Sequence, residues 1–164
     1  MKRKCGIPTP LGEMIALAEQ GALTELRFVG QKYAPEDTGE WQNDPDYPLF
    51  VELRGQLEAY FTGRLRTFEL PLAPGGTLFQ IAVWKLLRNI PFGTTVTYGA
   101  LAGSVAGQRQ GRIPAAQAVG GAVGRNPIAI IIPCHRVLGA NGSLTGYAGG
   151  MERKAALLEL EKAV

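Results

Sequence analysis

Apolar residues alternate with polar ones early in the chain and recur at helical spacing later. Met14-Ile15-Ala16-Leu17-Ala18 and Ala22-Leu23-Thr24-Glu25-Leu26-Arg27-Phe28 flank Gln20-Gly21, which predicts a β-hairpin. Residues 31–46 are polar and interrupted by Pro35, Gly39, Asn43 and Pro45, as in a surface loop. Phe50, Leu53, Leu57 and Phe61 then mark one face of a helix, with Asp46 as the candidate cap and Gly63 as the stop. Phe68-Glu69-Leu70-Pro71-Leu72 resembles a short edge strand, because Pro71 cannot donate to a ladder. Ala73-Pro74-Gly75-Gly76 reads as a linker.

Helical spacing dominates the rest of the chain. Thr77 is placed to cap a helix with Phe79, Val83, Leu86 and Ile90 on its apolar stripe. Thr97 is placed to cap a second, with Leu101, Ala102 and Val105, and Pro114 suits the first turn of a third that runs to Val123. Two short helices joined by a turn suggest a helix-turn-helix. The third helix is small-faced, which fits either a close approach to another surface or tight packing in the core. Ile128-Ala129-Ile130-Ile131-Ile132 is a continuous, mostly β-branched run and predicts a buried extended segment. It leads into Pro133-Cys134-His135-Arg136-Val137, a Gly-rich stretch from Gly139 to Gly150, and a last helix from Glu152 to Lys162 with Leu157 and Leu160 inward.

Composition narrows the classes. With 164 residues, 46% hydrophobic and 19% charged, the chain can bury a core and is not a disordered tail. Two cysteines make no disulfide framework, and one histidine leaves a His-based metal site without a second imidazole, so no metal and no cofactor are expected. No apolar run suits a bilayer or a signal peptide, so the expected setting is a reducing cytoplasm with free thiols. The net charge of +3 hides an asymmetry. Residues 1–76 carry 8 Lys/Arg against 11 Asp/Glu, and residues 77–164 carry 9 against 3. No acid lies between Glu69 and Glu152, while Lys85, Arg88, Arg109, Arg112, Arg125 and Arg136 do, which favours a polyanionic partner.

Cys134 leaves a buried run and is directly succeeded by the one histidine. A thiol becomes a strong nucleophile when a base or cation stabilises its thiolate. Adjacent residues of a strand face opposite ways, so Cys134 and His135 cooperate only if the chain turns there or a water bridges them. A neutral histidine also needs a group to orient its second nitrogen. Glu161, one turn beyond Leu157 on the inward face, is the best-placed acid.

Pro133-Cys134-His135-Arg136-Val137 resembles the active-site signature of the O6-alkylguanine-DNA alkyltransferases. Phe79 to Trp84, Ile90-Pro91-Phe92-Gly93, Tyr98, Ala118-Val119-Gly120, Asn126-Pro127, Gly146-Tyr147 and Arg153-Lys154 resemble the same family in order, over roughly residues 77–162. The resemblance is weak before residue 77. It implies an α+β protein, with a small antiparallel, ribonuclease H-like sheet and helix over residues 1–76. A mostly helical, winged helix-turn-helix-like domain would occupy residues 77–164. It implies a single-turnover DNA-repair protein, acting as a monomer, that grips duplex DNA through the minor groove and flips O6-alkylguanine, and O4-alkylthymine, into a pocket. The alkyl group then passes irreversibly to a cysteine. Flipping is required because the alkylated oxygen is inaccessible inside the stack.

Carried over by position, Cys134 is the acceptor, His135 the base acting through a water, and Glu161 its orienting partner. Asn126 braces the turn, and Tyr98 aids flipping and offers its hydroxyl to the base. Tyr147, Ala148 and Gly149 close over the guanine, and the carbonyls of Cys134 and Val137 accept from its exocyclic amine. Ala116, Gln117, Ala118 and Gly120 on the recognition helix, with Arg109, Arg112, Arg125 and Arg136, face DNA. Two departures stand out. Gln117 occupies the position where the family usually has an arginine that fills the gap left by the flipped base. The turn from Ala106 to Ile113 is longer than usual and carries Arg109 and Arg112, which either replace that finger in part, hold phosphate, or are a solvated loop. Some relatives hold a structural zinc near the N-terminus, but Cys5 has no partner ligand in sequence, so none is expected here. Rival readings are a slow or inactive alkyltransferase acting as a lesion sensor, a Cys-His hydrolase with turnover, and a small transcription factor. Cys134 argues against a pure sensor, which lacks that residue.

Overall fold

The computed structural model describes residues 1–32, 39–108 and 116–162. The fold is α+β. It divides into two compact units, one of Met1–Gly75 with Pro127–Ala129, the other of Gly76–Asn126 with Ile130–Val164.

In the first unit, strands β1 (Lys2–Thr9), β2 (Gly12–Glu19) and β3 (Ala22–Phe28) form an antiparallel meander, and a two-residue β4 (Gln42–Asn43) runs parallel to β1. The sheet order is β3-β2-β1-β4, so the sheet is mixed at one edge. The hairpin forms where expected. Gln20 (φ 53°) and Gly21 (φ 78°) both take the positive φ that a tight two-residue turn demands. β1 carries no long apolar run, only Cys5 and Ile7 turned inward between basic and small residues. Helix α1 (Pro48–Phe61) packs against β1 and buries Phe50, Leu53, Leu57 and Tyr60. Tyr60, not the expected Phe61, completes that face. Asp46 is exposed and does not cap the helix. Tyr47 holds the cap position without a side-chain bond, and Pro48 starts the first turn, where a missing N–H costs nothing. Residues 68–72 do not form a strand. Only Leu72 makes an isolated bridge, to Leu23.

The run before Cys134 is buried as expected, but it is not extended. Its first part pairs with β3 of the first unit: Leu26 N–H donates to Pro127 O (2.8 Å) and Ala129 N–H to Leu26 O (2.9 Å). Ile130 then takes φ 70°, a left-handed conformation that is a strained outlier for a β-branched residue. An unbroken apolar run signals burial without signalling period, so it could not distinguish a strand from a buried chain of turns.

The second unit is built on three mutually packed helices, α2 (Leu78–Arg88), α3 (Tyr98–Gln108) and α4 (Ala116–Gly124). Thr77 closes a full capping box with Gln80, which contributes about 1 kcal/mol. The buried face of α2 is Val83, Trp84 and Leu87, rotated from the expected stripe, with Phe79 and Leu86 half-exposed. The reason is Trp84. Its indole N–H donates to the Ala122 carbonyl at 2.8 Å and turns the helix so that the largest side chain lies inside. Thr97 Oγ1 accepts from Ala100 N–H at 3.1 Å and caps α3. Strands β5 (Val96–Thr97) and β6 (Val137–Leu138) pair in parallel, and α5 (Met151–Glu161) packs on the turn at Cys134–Arg136. The inward face of α5 is Lys154, Leu157, Leu158 and Glu161, while Leu160 is half-exposed. Among the described residues no helix is long and apolar enough to cross a membrane.

Candidate active site

Cys134 opens a single 3-10 turn, Cys134–Arg136, entered from Pro133. The turn removes the geometric objection raised by adjacency, since consecutive side chains no longer alternate across a strand. Asn126 braces the approach: its Nδ2 donates to the Ile132 carbonyl at 2.7 Å. Cys134 is buried, with 7% of its surface exposed.

His135 is fully buried. Its Nε2 lies 2.8 Å from Glu161 Oε2. A carboxylate there requires an N–H, so in the neutral ring the lone pair sits on Nδ1. Nδ1 is buried and has no hydrogen-bond partner among the described residues. Burial is the main cause that lowers the His135 pKa below its ordinary value, outweighing the hydrogen bond and charge of Glu161, with Arg136 and Lys154 adding to the lowering. The imidazole therefore stays neutral near pH 7 and can accept a proton at Nδ1.

Glu161 is held in turn by Arg136. Arg136 Nε donates to Oε1 (2.8 Å), Nη2 to Oε2 (2.9 Å), and Nη1 to the Ile90 carbonyl (2.7 Å). This two-pronged pair fixes the carboxylate plane. It also corrects an expectation. Arg136 points inward with 7% exposure, and its guanidinium is occupied by protein acceptors, so it does not face DNA.

The segment after the turn curls back over α3. Tyr98 hydroxyl donates to the Thr145 carbonyl at 3.0 Å. Lys154, with no exposed surface, donates its Nζ to the same carbonyl at 2.8 Å and to the Val137 carbonyl at 2.5 Å. Gly146 (φ 77°) is required here, because a Cβ would sit 2.7 Å from the Tyr98 hydroxyl. The Tyr147 hydroxyl is buried without a partner among the described residues. Burial first, then the Cys134 charge, raises the pKa of both Tyr98 and Tyr147, so both remain donors. Ala148 is half-buried and Gly149 buried. The Cys134 carbonyl accepts from the Val137 N–H and the Val137 carbonyl from Lys154.

On α4, Ala116, Gln117, Ala118 and Gly121 are exposed, Gly120 is half-exposed, and Val119, Ala122 and Val123 are buried. A Cβ built at Gly120, Gly121 or Gly124 would meet nothing within 4 Å. Core packing therefore does not require these glycines, and the small face is open to an incoming surface. Arg125 is exposed at the end of the helix. Arg109 and Arg112 lie outside the described residues, as do Pro114 and Ala115.

Residues 78–163 match the family described as 6-O-methylguanine DNA methyltransferase, DNA binding domain, and residues 4–74 match its ribonuclease-like domain. The chain belongs to this family. The methylated-DNA–protein-cysteine methyltransferase of Mycobacterium tuberculosis is 49% identical over 156 residues, covering 95% of this chain and 90% of the relative. That of Haemophilus influenzae is 44% identical over 156 residues, covering 94% and 83%. The crystal structure of the Mycobacterium tuberculosis O6-methylguanine methyltransferase superposes with a TM-score of 0.87 at 47% identity, covering 99% of this chain and 94% of that one. A second structure of that protein, in complex with DNA, gives 0.85 at 46% identity, covering 98% and 93%.

Within this family member, the residue pattern understates two groups. Arg136 is easily read by its charge alone, although a basic residue next to a buried turn signals a partner inside. Lys154 stands out in sequence only as part of a motif. The available signal is its position, one and two turns before Leu158 and Glu161 on the inward face of α5.

Proposed function

We propose that the protein repairs O6-alkylguanine, and O4-alkylthymine, by moving the alkyl group from a flipped base in duplex DNA onto Cys134, once and irreversibly. The protein binds DNA and transfers alkyl groups to a cysteine, as its family does. The observation that carries the assignment to Cys134 is the buried imidazole beside it. His135 is fixed through Nε2 by Glu161 and presents an Nδ1 without a partner among the described residues.

The step balances as a direct displacement. Nδ1 of His135 takes the Cys134 proton, through one water. The sulfur attacks the alkyl carbon, an S–C bond forms, and the C–O bond breaks. Its electron pair goes to O6, and the guanine takes up one proton, which balances the thiol proton that His135 gives back through the water. Removing the thiol proton and holding the base in line are the tasks the protein performs. The Tyr147 hydroxyl and the Tyr98 hydroxyl are donors for the departing purine, and the Val137 carbonyl is the acceptor for its amine.

For the DNA, the exposed small residues of α4 suit a minor groove about 6 Å wide. Gln117 stands at the gap left by the flipped base, and Arg125 lies near the phosphates. The protein acts as a monomer, and nothing in the reaction calls for a second copy. Cys134 and the histidine beside it weigh against the lesion-sensor reading, for which Gln117 in place of the usual arginine speaks. A Cys134→Ala variant is expected to leave alkylated oligonucleotide unrepaired while Cys5→Ala repairs it normally. The reverse pattern would move the acceptor to Cys5 and overturn the proposal.

A further inference from the structure

We propose that Lys154 is a positioning residue for the incoming base: its buried ammonium clamps the Thr145 carbonyl of the Gly-rich segment to the Val137 carbonyl behind the Cys134 turn. This inference rests on the alkyl-transfer reading and adds a residue to which neither a role nor a contact with substrate belongs in that mechanism.

Three observations carry it. Lys154 exposes no surface, and its Nζ spends two donors on carbonyls eight residues apart in sequence, at 2.5 Å and 2.8 Å. Burying an ammonium is costly unless it is well bonded, so this lysine is held where an apolar residue would pack more cheaply. Second, the bridged segment contains Gly139, Gly142 and the left-handed Asn141, and beyond the buried Val137 and Leu138 none of its residues from Gly139 to Thr145 is buried. Tyr147 and Ala148 come within three residues of the clamp. Third, Thr145 O accepts from two donors, Lys154 and Tyr98. When the Tyr98 hydroxyl turns to the base, the Lys154 bond to Thr145 O remains. Val137 O, the acceptor proposed for the base, is oriented by the same ammonium.

Charge sets when the clamp is strongest. Burial pushes the Lys154 pKa down to about 8, with the Cys134 charge opposing. Charge-assisted hydrogen bonds are roughly twice as strong as neutral ones. The Tyr98 ring centre lies 5.9 Å from the ammonium, and Cys134 and His135 are the titratable groups of the turn that interact with it. Tyr98 and Tyr147 are shifted above their usual range and His135 below its own, so none of these three titrates between pH 7 and the usual tyrosine range.

The test uses the whole protein and two reactions of the same thiol. One is transfer from O6-benzyl-2′-deoxyguanosine, which needs the base held in place. The other is alkylation by iodoacetamide, which does not. For the wild type, the ratio of transfer rate to alkylation rate is expected to fall several-fold as pH rises through about 8. In Lys154→Met, transfer at pH 7 is expected to drop about 10- to 100-fold, since a misplacement of one ångström costs that much. The half-saturating nucleoside concentration rises, while iodoacetamide alkylation stays within about twofold. A flat ratio in the wild type, or equal loss of both reactions in the variant, overturns the clamp. A shifted pH profile for iodoacetamide alone would make Lys154 a modulator of the thiol, also against the proposal. If the wild type transfers nothing to Cys134, the repair reading itself fails. The wild-type ratio needs no variant, so poor folding of Lys154→Met leaves the test intact.

Discussion

Replacing Glu161 by Gln perturbs the site at its most connected point. Glu161 accepts from His135 Nε2 and twice from Arg136, all between 2.8 and 2.9 Å, and is almost completely buried. The amide keeps the shape and removes the charge. The Arg136 guanidinium then remains buried with the Ile90 carbonyl as its sole undisturbed acceptor among the bonds described. Breaking a buried pair from one side costs about 3–5 kcal/mol. For a chain of this size, each kcal/mol moves the midpoint by about 2–4 °C, giving a fall of roughly 6–20 °C in Tm. The chemical effect is separable. An amide can turn an N–H towards Nε2 and favour the other histidine tautomer, which puts the proton on Nδ1 and removes the base. Loss of general-base assistance is worth about 10²–10⁴ in rate. Thermal unfolding measures the first effect, and single-turnover transfer from an alkylated oligonucleotide, well below the lowered Tm, measures the second. The double variant Arg136→Met/Glu161→Gln removes the orphaned cation and is expected to recover much of the stability but none of the rate. A single variant that loses stability and keeps its transfer rate would refute the role given to the His135–Glu161 pair.

Further outcomes rest on particular atoms. Gly146→Ala introduces a Cβ where the Tyr98 hydroxyl lies and a side chain at φ 77°, and is expected to slow transfer from both nucleoside and duplex by at least tenfold in a kinetic assay. The lowered His135 pKa means that the unfolded chain binds a proton before the folded one does as pH falls through the usual histidine range. Stability should therefore decline below about pH 6.5, seen by denaturant titration, while His135 stays neutral and transfer-competent in the folded protein. Gln117→Arg is expected to speed repair in duplex DNA and leave transfer from free benzylguanine unchanged, because Gln117 is exposed on α4, the helix proposed to meet DNA.

Local signals are legible where one residue type satisfies one geometric demand. Gln20-Gly21 forms the hairpin turn, Thr77 with Gln80 the capping box, and Thr97 the cap of α3, each from a few residues whose chemistry is self-contained. Glu161 is also readable, because helical spacing places it on the same face as Leu157. The failures are non-local. Ile128 to Ile132 has no period to report, and its path depends on pairing with Leu26, far earlier in the chain. Arg136 misleads because charge suggests solvent, while its acceptors lie at Ile90 and Glu161, far away in sequence. Lys154 escapes notice for the same reason, since backbone carbonyls leave no trace in the side-chain pattern.

The central claim is that Cys134 takes and keeps the alkyl group. Incubating the intact protein with duplex DNA carrying one O6-methylguanine and then weighing it by mass spectrometry tests this directly. One added methyl group is expected, mapped by peptide digestion to Cys134, with repair stopping when the protein is consumed. An unmodified protein beside an intact lesion, or an unmodified protein that keeps consuming lesions, would contradict it.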